Sequence, residues 1–207
     1  MPESQLLVSF AVAATLIELT PGPNMAYLAM LSVEQGRRAG LSAVAGIAAG
    51  LLGAGLAAAL GLAALIDAVP AVYQVLRWAG VAYLFWLAWE GWRGSESSAA
   101  EARPRDRSES VYFRRGLITN LLNPKAFLFY IAVLPRFIEP SLPVTSQTIV
   151  LSLVYVAIAT AIHTAIAILA GTAQRLTVVT GHSRAIRRIL AVALAGVAVW
   201  LAFATAR

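Results

Sequence analysis

Residues 41–66 contain no charged side chain, and only Asp67 ends the run. At 1.5 Å per residue this is roughly 39 Å of helix, against about 30 Å for the hydrocarbon core of a bilayer, so it can span with tilt. Five further apolar stretches, at about 6–32, 72–92, 113–137, 144–173 and 187–204, can each span as well. None sustains the apolar/polar alternation of a membrane β-barrel. The expected fold is therefore all-α, a polytopic membrane protein with six transmembrane helices. Composition agrees, since 59% of residues are hydrophobic and 13% charged, beyond what a soluble domain of this size needs.

Two of the six stretches are interrupted by proline, one in each half of the chain. Thr20, Pro21, Gly22, Pro23 and Asn24 break the first; Asn120, Leu121, Leu122, Asn123, Pro124 and Lys125 break the fourth. Proline has no N–H, so the carbonyls of Ile17, Leu19 and Asn120 are expected to lack helical donors. Inside a bilayer such groups persist only where they face protein or a cavity. Breaks at corresponding positions of two halves point to a site near the membrane midplane. The half-helices that start after the breaks offer amide donors and a positive dipole end, roughly half an elementary charge, to a carboxylate. The freed carbonyls suit an ammonium, and an amino acid carries both groups. A packed proline kink is the plainer reading of either break alone.

Residues 94–112 are rich in Ser, Glu, Ala and Arg and resemble a solvated linker. They divide one transmembrane domain, 1–207, into a first repeat at about 1–93 and a second at about 113–207. Three helices per repeat is odd, so the second trio enters the membrane with opposite orientation, a 3+3 inverted repeat. Arg37, Arg38, Arg93, Arg103, Arg105, Arg107, Arg114, Arg115, Arg175, Arg184, Arg187 and Arg188 fall on one side. The other side has Arg136 and Arg207, with Arg77 expected to snorkel from the third helix. The linker is then cytoplasmic and both termini face outward. Met1 to Gln5 carry no basic residue, so the first helix is expected to stay uncleaved. Trp86, Trp89 and Trp92 beside Arg93 suit an aromatic belt at the inner interface. The net charge of +6 thus reports topology, and nucleic acid is not an expected partner.

Glu18 lies one turn before Pro21, roughly 18 Å into the first helix and near mid-membrane. An acidic charge at that depth costs about 2.5–3.5 kcal/mol on insertion scales. It is therefore expected either to carry a proton or to pair with Lys125, the only lysine, at a similar depth. A static Glu18–Lys125 ion pair joining the halves is the plain alternative. Asn24, Asn120 and Asn123 can satisfy broken backbone, bond helix to helix, or hold substrate. His163, with Thr160 and Thr164, is a second ion-coupling candidate, although a lone buried histidine is more often a packing residue. His182 sits among loop arginines and reads as solvated. Gly46 and Gly50, followed by Gly53 and Gly55, allow close backbone approach, as internal packing, a sliding surface or a homodimer face.

Thr20–Asn24, the following Gly36, Arg37, Arg38, Ala39, Gly40 and Leu41, and the later Asn120–Ala126 run together resemble the LysE/RhtB family of bacterial amino-acid exporters. The resemblance covers most of the chain. It implies efflux of amino acids or close derivatives across the bacterial inner membrane, driven by proton antiport, with no cofactor. Carried over residue by residue, it places the site at Pro21, Gly22, Pro23, Asn123, Pro124 and Lys125. Asn24 stands where many relatives have an aspartate, and His163 lies near where many have another. Glu18 is left as the acid near the centre.

Other classes fit less well. A metal-ion exporter needs several carboxylates, histidines or thiolates at membrane depth, and the chain has no cysteine and two histidines. An intramembrane hydrolase needs a nucleophile with its base, or two acids, and none is visible. A structural or assembly subunit remains the non-transport alternative. For a transporter the pocket is expected to include Tyr27, Phe127 and Tyr130.

Overall fold

A computed structural model describes residues 4–61, 70–94, 108–179 and 183–204. Most of the expected linker (95–107), with Arg103, Arg105 and Arg107, lies outside them, as does His182. Among the described residues every regular element is helical: α1 (Ser4–Leu19), α2 (Pro23–Gln35), α3 (Arg37–Ala59), α4 (Pro70–Gly94), α5 (Glu109–Leu121), α6 (Pro124–Phe137), α7 (Val144–Val179) and α8 (Ser183–Ala204).

Local chemistry sets the ends of these helices. Thr20 N–H closes α1 on the Ile17 carbonyl at 3.1 Å. Gly22 then runs extended, and Pro23 starts α2 at the position where a missing N–H costs nothing. Gly36, at φ 85°, ends α2 with its N–H on the Ser32 carbonyl and starts α3. That left-handed geometry favours glycine. The Ser108 side chain caps α5, with Glu109 in its first turn. In the second break the Asn123 carboxamide oxygen accepts from Lys125 N–H at 3.0 Å, and Pro124 opens α6. Residues Phe129–Val133 then widen into a π turn, and Leu134–Phe137 tighten into a 3-10 turn.

Of the expected stretch 41–66, residues 62–66 lie outside the described residues; α3 starts earlier, at Arg37, and ends at Ala59. Leu60 and Gly61 close its last turn on the Leu56 and Ala58 carbonyls, and Gly61 leaves at φ 83°.

By length and apolarity, α3 and residues Val144–Thr172 of α7 can each cross a bilayer. The pairs α1/α2 and α5/α6 add two more if each is one span, bent by 56° and 51° at its break. The 25 residues of α4 include Gln74, Arg77 and Glu90, and the apolar part of α8 is the shorter Arg188–Phe203.

Helix α3 packs on α5 and α7, α4 on α8, and α2 lies against α3, α7 and α8. Gly46 of α3 faces the backbone of Phe113 and Leu117, and Gly116 of α5 faces the Ala43 carbonyl. Gly50 abuts Asn120 and Gly55 abuts Ser152, so the small-residue face is internal packing between the two parts of the chain. Phe10, Phe129, Phe137 and Tyr155 interlock beside the breaks, with Phe129 and Tyr155 stacked at 3.6 Å. Such ring pairs add about 0.5–1.5 kcal/mol beyond area burial. Leu16, Leu169 and Phe203 point outward, as apolar side chains do when lipid is the solvent.

Arg77, expected to snorkel, reaches the C-terminal end of α8. It is buried, donates to Gln74 at 2.9 Å and to the Ala202 carbonyl, and lies 5.0 Å from the Trp78 ring centre. The last carbonyls of α8 lack intrahelical donors, and a cation there also complements the helix dipole. The tryptophans of α4 serve as cation seats, with Arg115 over Trp86, Arg93 over Trp89 and Arg188 over Trp92.

Candidate functional site

The two breaks meet. Asn24 Nδ2, one residue into α2, donates to Asn120 Oδ1 at the end of α5 over 3.0 Å. Lys125, at the second position of α6, extends its ammonium to the Thr20 carbonyl at 2.8 Å. Helix α1 has just ended there, so that carbonyl has no helical donor. Each break thus supplies a polar group to the other. Gly22 keeps the Lys125 path open, since a Cβ there would come within 3.3 Å of the lysine Cδ.

Beside this crossing, Glu18 is 5% exposed in the last turn of α1. Two side chains of α7 face its carboxylate: Tyr155 donates its hydroxyl to Oε1 at 2.5 Å, and His163 Nε2 lies 3.5 Å from Oε2. The histidine distance is an electrostatic contact, longer than a good hydrogen bond. Both imidazole nitrogens lack a hydrogen-bond partner, as do Asn24 Oδ1, Asn120 Nδ2 and Thr160 Oγ1.

Glu18, Gly22, Asn24, Asn123, Lys125 and His163 line one small cleft, together with Met25, Ala126 and Tyr155. Its free volume is about 10 Å³, room for about one water molecule. Pro21 is exposed in the first break and lines no part of it, while Pro23 and Pro124 are buried helix starts. Asn120 stands behind Asn24 as its hydrogen-bond partner.

Several expectations are corrected. Glu18 and Lys125 form no ion pair: the ammonium sits on the Thr20 carbonyl, and the carboxylate is held by Tyr155 and faced by His163. The carbonyls of Ile17 and Asn120 are not left free, because Thr20 N–H and Asn123 N–H close tight turns onto them at 3.1 and 3.0 Å. Tyr27, Phe127 and Tyr130 do not line the cleft. Tyr27 is core, and Tyr130 donates to the Leu51 carbonyl at 2.8 Å. Tyr155 was missed. Its one signal was a position two helical turns before His163 on the same apolar helix.

Among the described residues, no group of three or more His, Cys, Asp or Glu could hold a metal ion. The arrangement offers an acid with a phenol and an imidazole on one wall, and an ammonium with amides on the other. That set can bind complementary charges and exchange a proton.

A family model of LysE type translocators matches residues 15–205. The chain is 29% identical to a homoserine/homoserine lactone efflux protein of Salmonella typhimurium, over 78% of this chain and 79% of the relative. The corresponding efflux protein of Salmonella typhi matches with the same identity and coverage. An uncharacterized membrane protein of Pseudomonas aeruginosa is 32% identical over 64% of this chain and 63% of its own. No solved structure matches.

Proposed function

Because the chain belongs to the LysE type translocators, which are membrane transporters and not enzymes, we propose that it is a secondary active exporter. Its cargo is an amino acid or close derivative, of the homoserine or homoserine lactone kind that its relatives' names state. It works in the bacterial inner membrane by proton antiport, with six spans in a 3+3 inverted repeat and both termini outside. The linker at about 94–112 lies in the cytoplasm, where the arginine-rich loops belong.

The observation that carries this reading is the crossing of the two breaks next to Glu18. A substrate ammonium suits the Glu18 carboxylate, and a substrate carboxylate suits Lys125 once the lysine leaves the Thr20 carbonyl. Ligand sites typically enclose about 300–1,000 Å³. The cleft holds about 10 Å³, which supports a closed state that admits substrate only when the breaks part.

The cycle follows from these contacts. A proton from outside neutralises Glu18, which weakens its hold on the substrate ammonium and releases the cargo outward. Loss of that proton to the inside restores the charge, and Tyr155 holds the carboxyl in place throughout. Export of a zwitterion against a hundredfold gradient costs about 2.7 kcal/mol, and one charge crossing 100 mV supplies about 2.3. A modest pH gradient covers the remainder.

The test is proton movement into a pH dye inside reconstituted vesicles, screened amino acid by amino acid, with Glu18→Gln as control. Flux with a few amino acids, lost in the variant, is expected. Silence across the panel with folded protein would sink the export reading, and coupling retained in Glu18→Gln would remove Glu18 from it.

A further inference from the structure

Beyond the Asn24–Asn120 bridge a second polar cluster lies between α2, α4 and α5, and the cycle above does not use it. Arg115 of α5 forks onto Glu90 of α4, with Nη1 to Oε2 at 3.0 Å and Nη2 to Oε1 at 3.1 Å. The guanidinium lies 5.2 Å from the Trp86 ring centre. Their side chains are 18% and 31% exposed, so this pair is reachable from outside the protein. Tyr27, three residues beyond Asn24 and thus on the same face of α2, is 1% exposed, and its hydroxyl has no hydrogen-bond partner. It lies within electrostatic reach of Tyr83, Arg115 and Glu90. Thr119 precedes Asn120 and donates to the Arg115 carbonyl. The polar groups therefore descend from the bridge along α2 and α5 to the ion pair.

A purely structural ion pair does not need an orphaned phenol buried beside it, because such a hydroxyl costs free energy unless something bonds to it. A planar guanidinium fork fits a carboxylate, and the carboxylate facing it fits an ammonium. Resting on the export reading, we infer that this cluster is a second docking site, for the head group of a zwitterionic amino acid on its way from the cytoplasm. The substrate carboxylate takes the Arg115 fork, its ammonium takes Glu90, and the Tyr27 hydroxyl completes the contacts. Exchange of the pair for the substrate also parts α4 from α5 beneath the bridge.

Homoserine and its lactone share a carbon skeleton and an amine, but only homoserine has a carboxylate. Efflux of each from preloaded cells separates the roles. Arg115→Gln is expected to raise the homoserine KM about tenfold or more while the lactone KM moves less than about threefold. Tyr27→Phe is expected to raise the homoserine KM with an unchanged melting temperature. If Arg115→Gln fails to fold, Arg115→Lys keeps the charge, loses the fork and carries a smaller shift of the same selectivity. Equal shifts for both substrates, or none for either, would overturn the docking site and leave the export reading standing. No efflux of either substrate by the wild type would overturn the homoserine-type cargo and the docking site with it, while the amino-acid panel decides the export reading.

Discussion

The Tyr155 phenol donates a 2.5 Å hydrogen bond to the Glu18 carboxylate across 137 positions of sequence. It joins the last turn of α1, just before the first break, to the first third of the long helix α7. The same tyrosine stacks on Phe129 of α6, just beyond the second break, with 11° between the rings. One residue therefore couples the acid to both interrupted segments.

Tyr155→Phe removes the hydroxyl and keeps the stack. Hydrogen bonds to charged groups contribute about 1.5–3 kcal/mol. The variant is expected to lose stability by an amount in that range and to lose most proton-coupled flux. Calorimetry in detergent and the pH-dye assay read the two effects. Unchanged flux at full expression would make Tyr155 a packing residue.

Asn24 and Asn120 should be energetically coupled. Interhelical polar contacts in membranes average about 0.6 kcal/mol and reach about 1.7. A double-mutant cycle of Asn24→Ala and Asn120→Ala, followed by thermal unfolding, is expected to give a coupling in that range. A coupling of zero would mean that the bridge contributes nothing to holding the breaks together.

Lys125→Met keeps most of the length of the side chain and removes its charge. The Thr20 carbonyl then loses its donor, and substrate carboxylate loses its partner. Amino-acid efflux is expected to fall at least about tenfold, a loss worth about 1.4 kcal/mol or more. Wild-type efflux in Lys125→Met would exclude the lysine from binding.

The glycines of α3 and α5 should differ sharply in tolerance. At Gly46 and Gly116 an added side chain meets the backbone of the facing helix, whereas at Gly53 it meets nothing within 4 Å. Gly46→Val and Gly116→Val are expected to destabilise by about 1–3 kcal/mol or more. Gly53→Ala is expected to be neutral or to stabilise by up to about 1 kcal/mol through helix propensity. Thermal shifts of purified variants give the comparison, and equal losses at all three would contradict the packing.

Topology can be read with thiols, since the chain has no cysteine of its own. A cysteine replacing Ser98 in the linker is expected to resist an impermeant maleimide in intact cells and to react after lysis. One replacing Ser141, between α6 and α7, is expected to react from outside. The reverse pattern would invert the orientation derived from the arginine loops.

What the sequence determined by itself is the solvent, the helical class and the two breaks. Each rests on short-range physics. Charge-free apolar runs exclude water, proline cannot continue a helix, and glycine accepts the left-handed turn at Gly36. Asn24, Asn123, Lys125, Glu18 and His163 were nameable as candidates because polar side chains inside apolar runs stand out, and Gly22 because it lies between two prolines.

Partnership was decided only by tertiary structure. Similar expected depth made Lys125, the only lysine, the natural partner of Glu18, yet side-chain reach and direction set pairing. Lysine, on α6, spans to the carbonyl that the α1 end leaves free, and Glu18 turns instead to Tyr155 and His163 of α7. Tyr155 looked like any aromatic in a membrane helix until α1 packed on α7. That Arg77 meets a carbonyl at the end of α8 was likewise not legible in the sequence. Each of these contacts depends on how distant helices pack, and no local stretch of sequence carries that geometry.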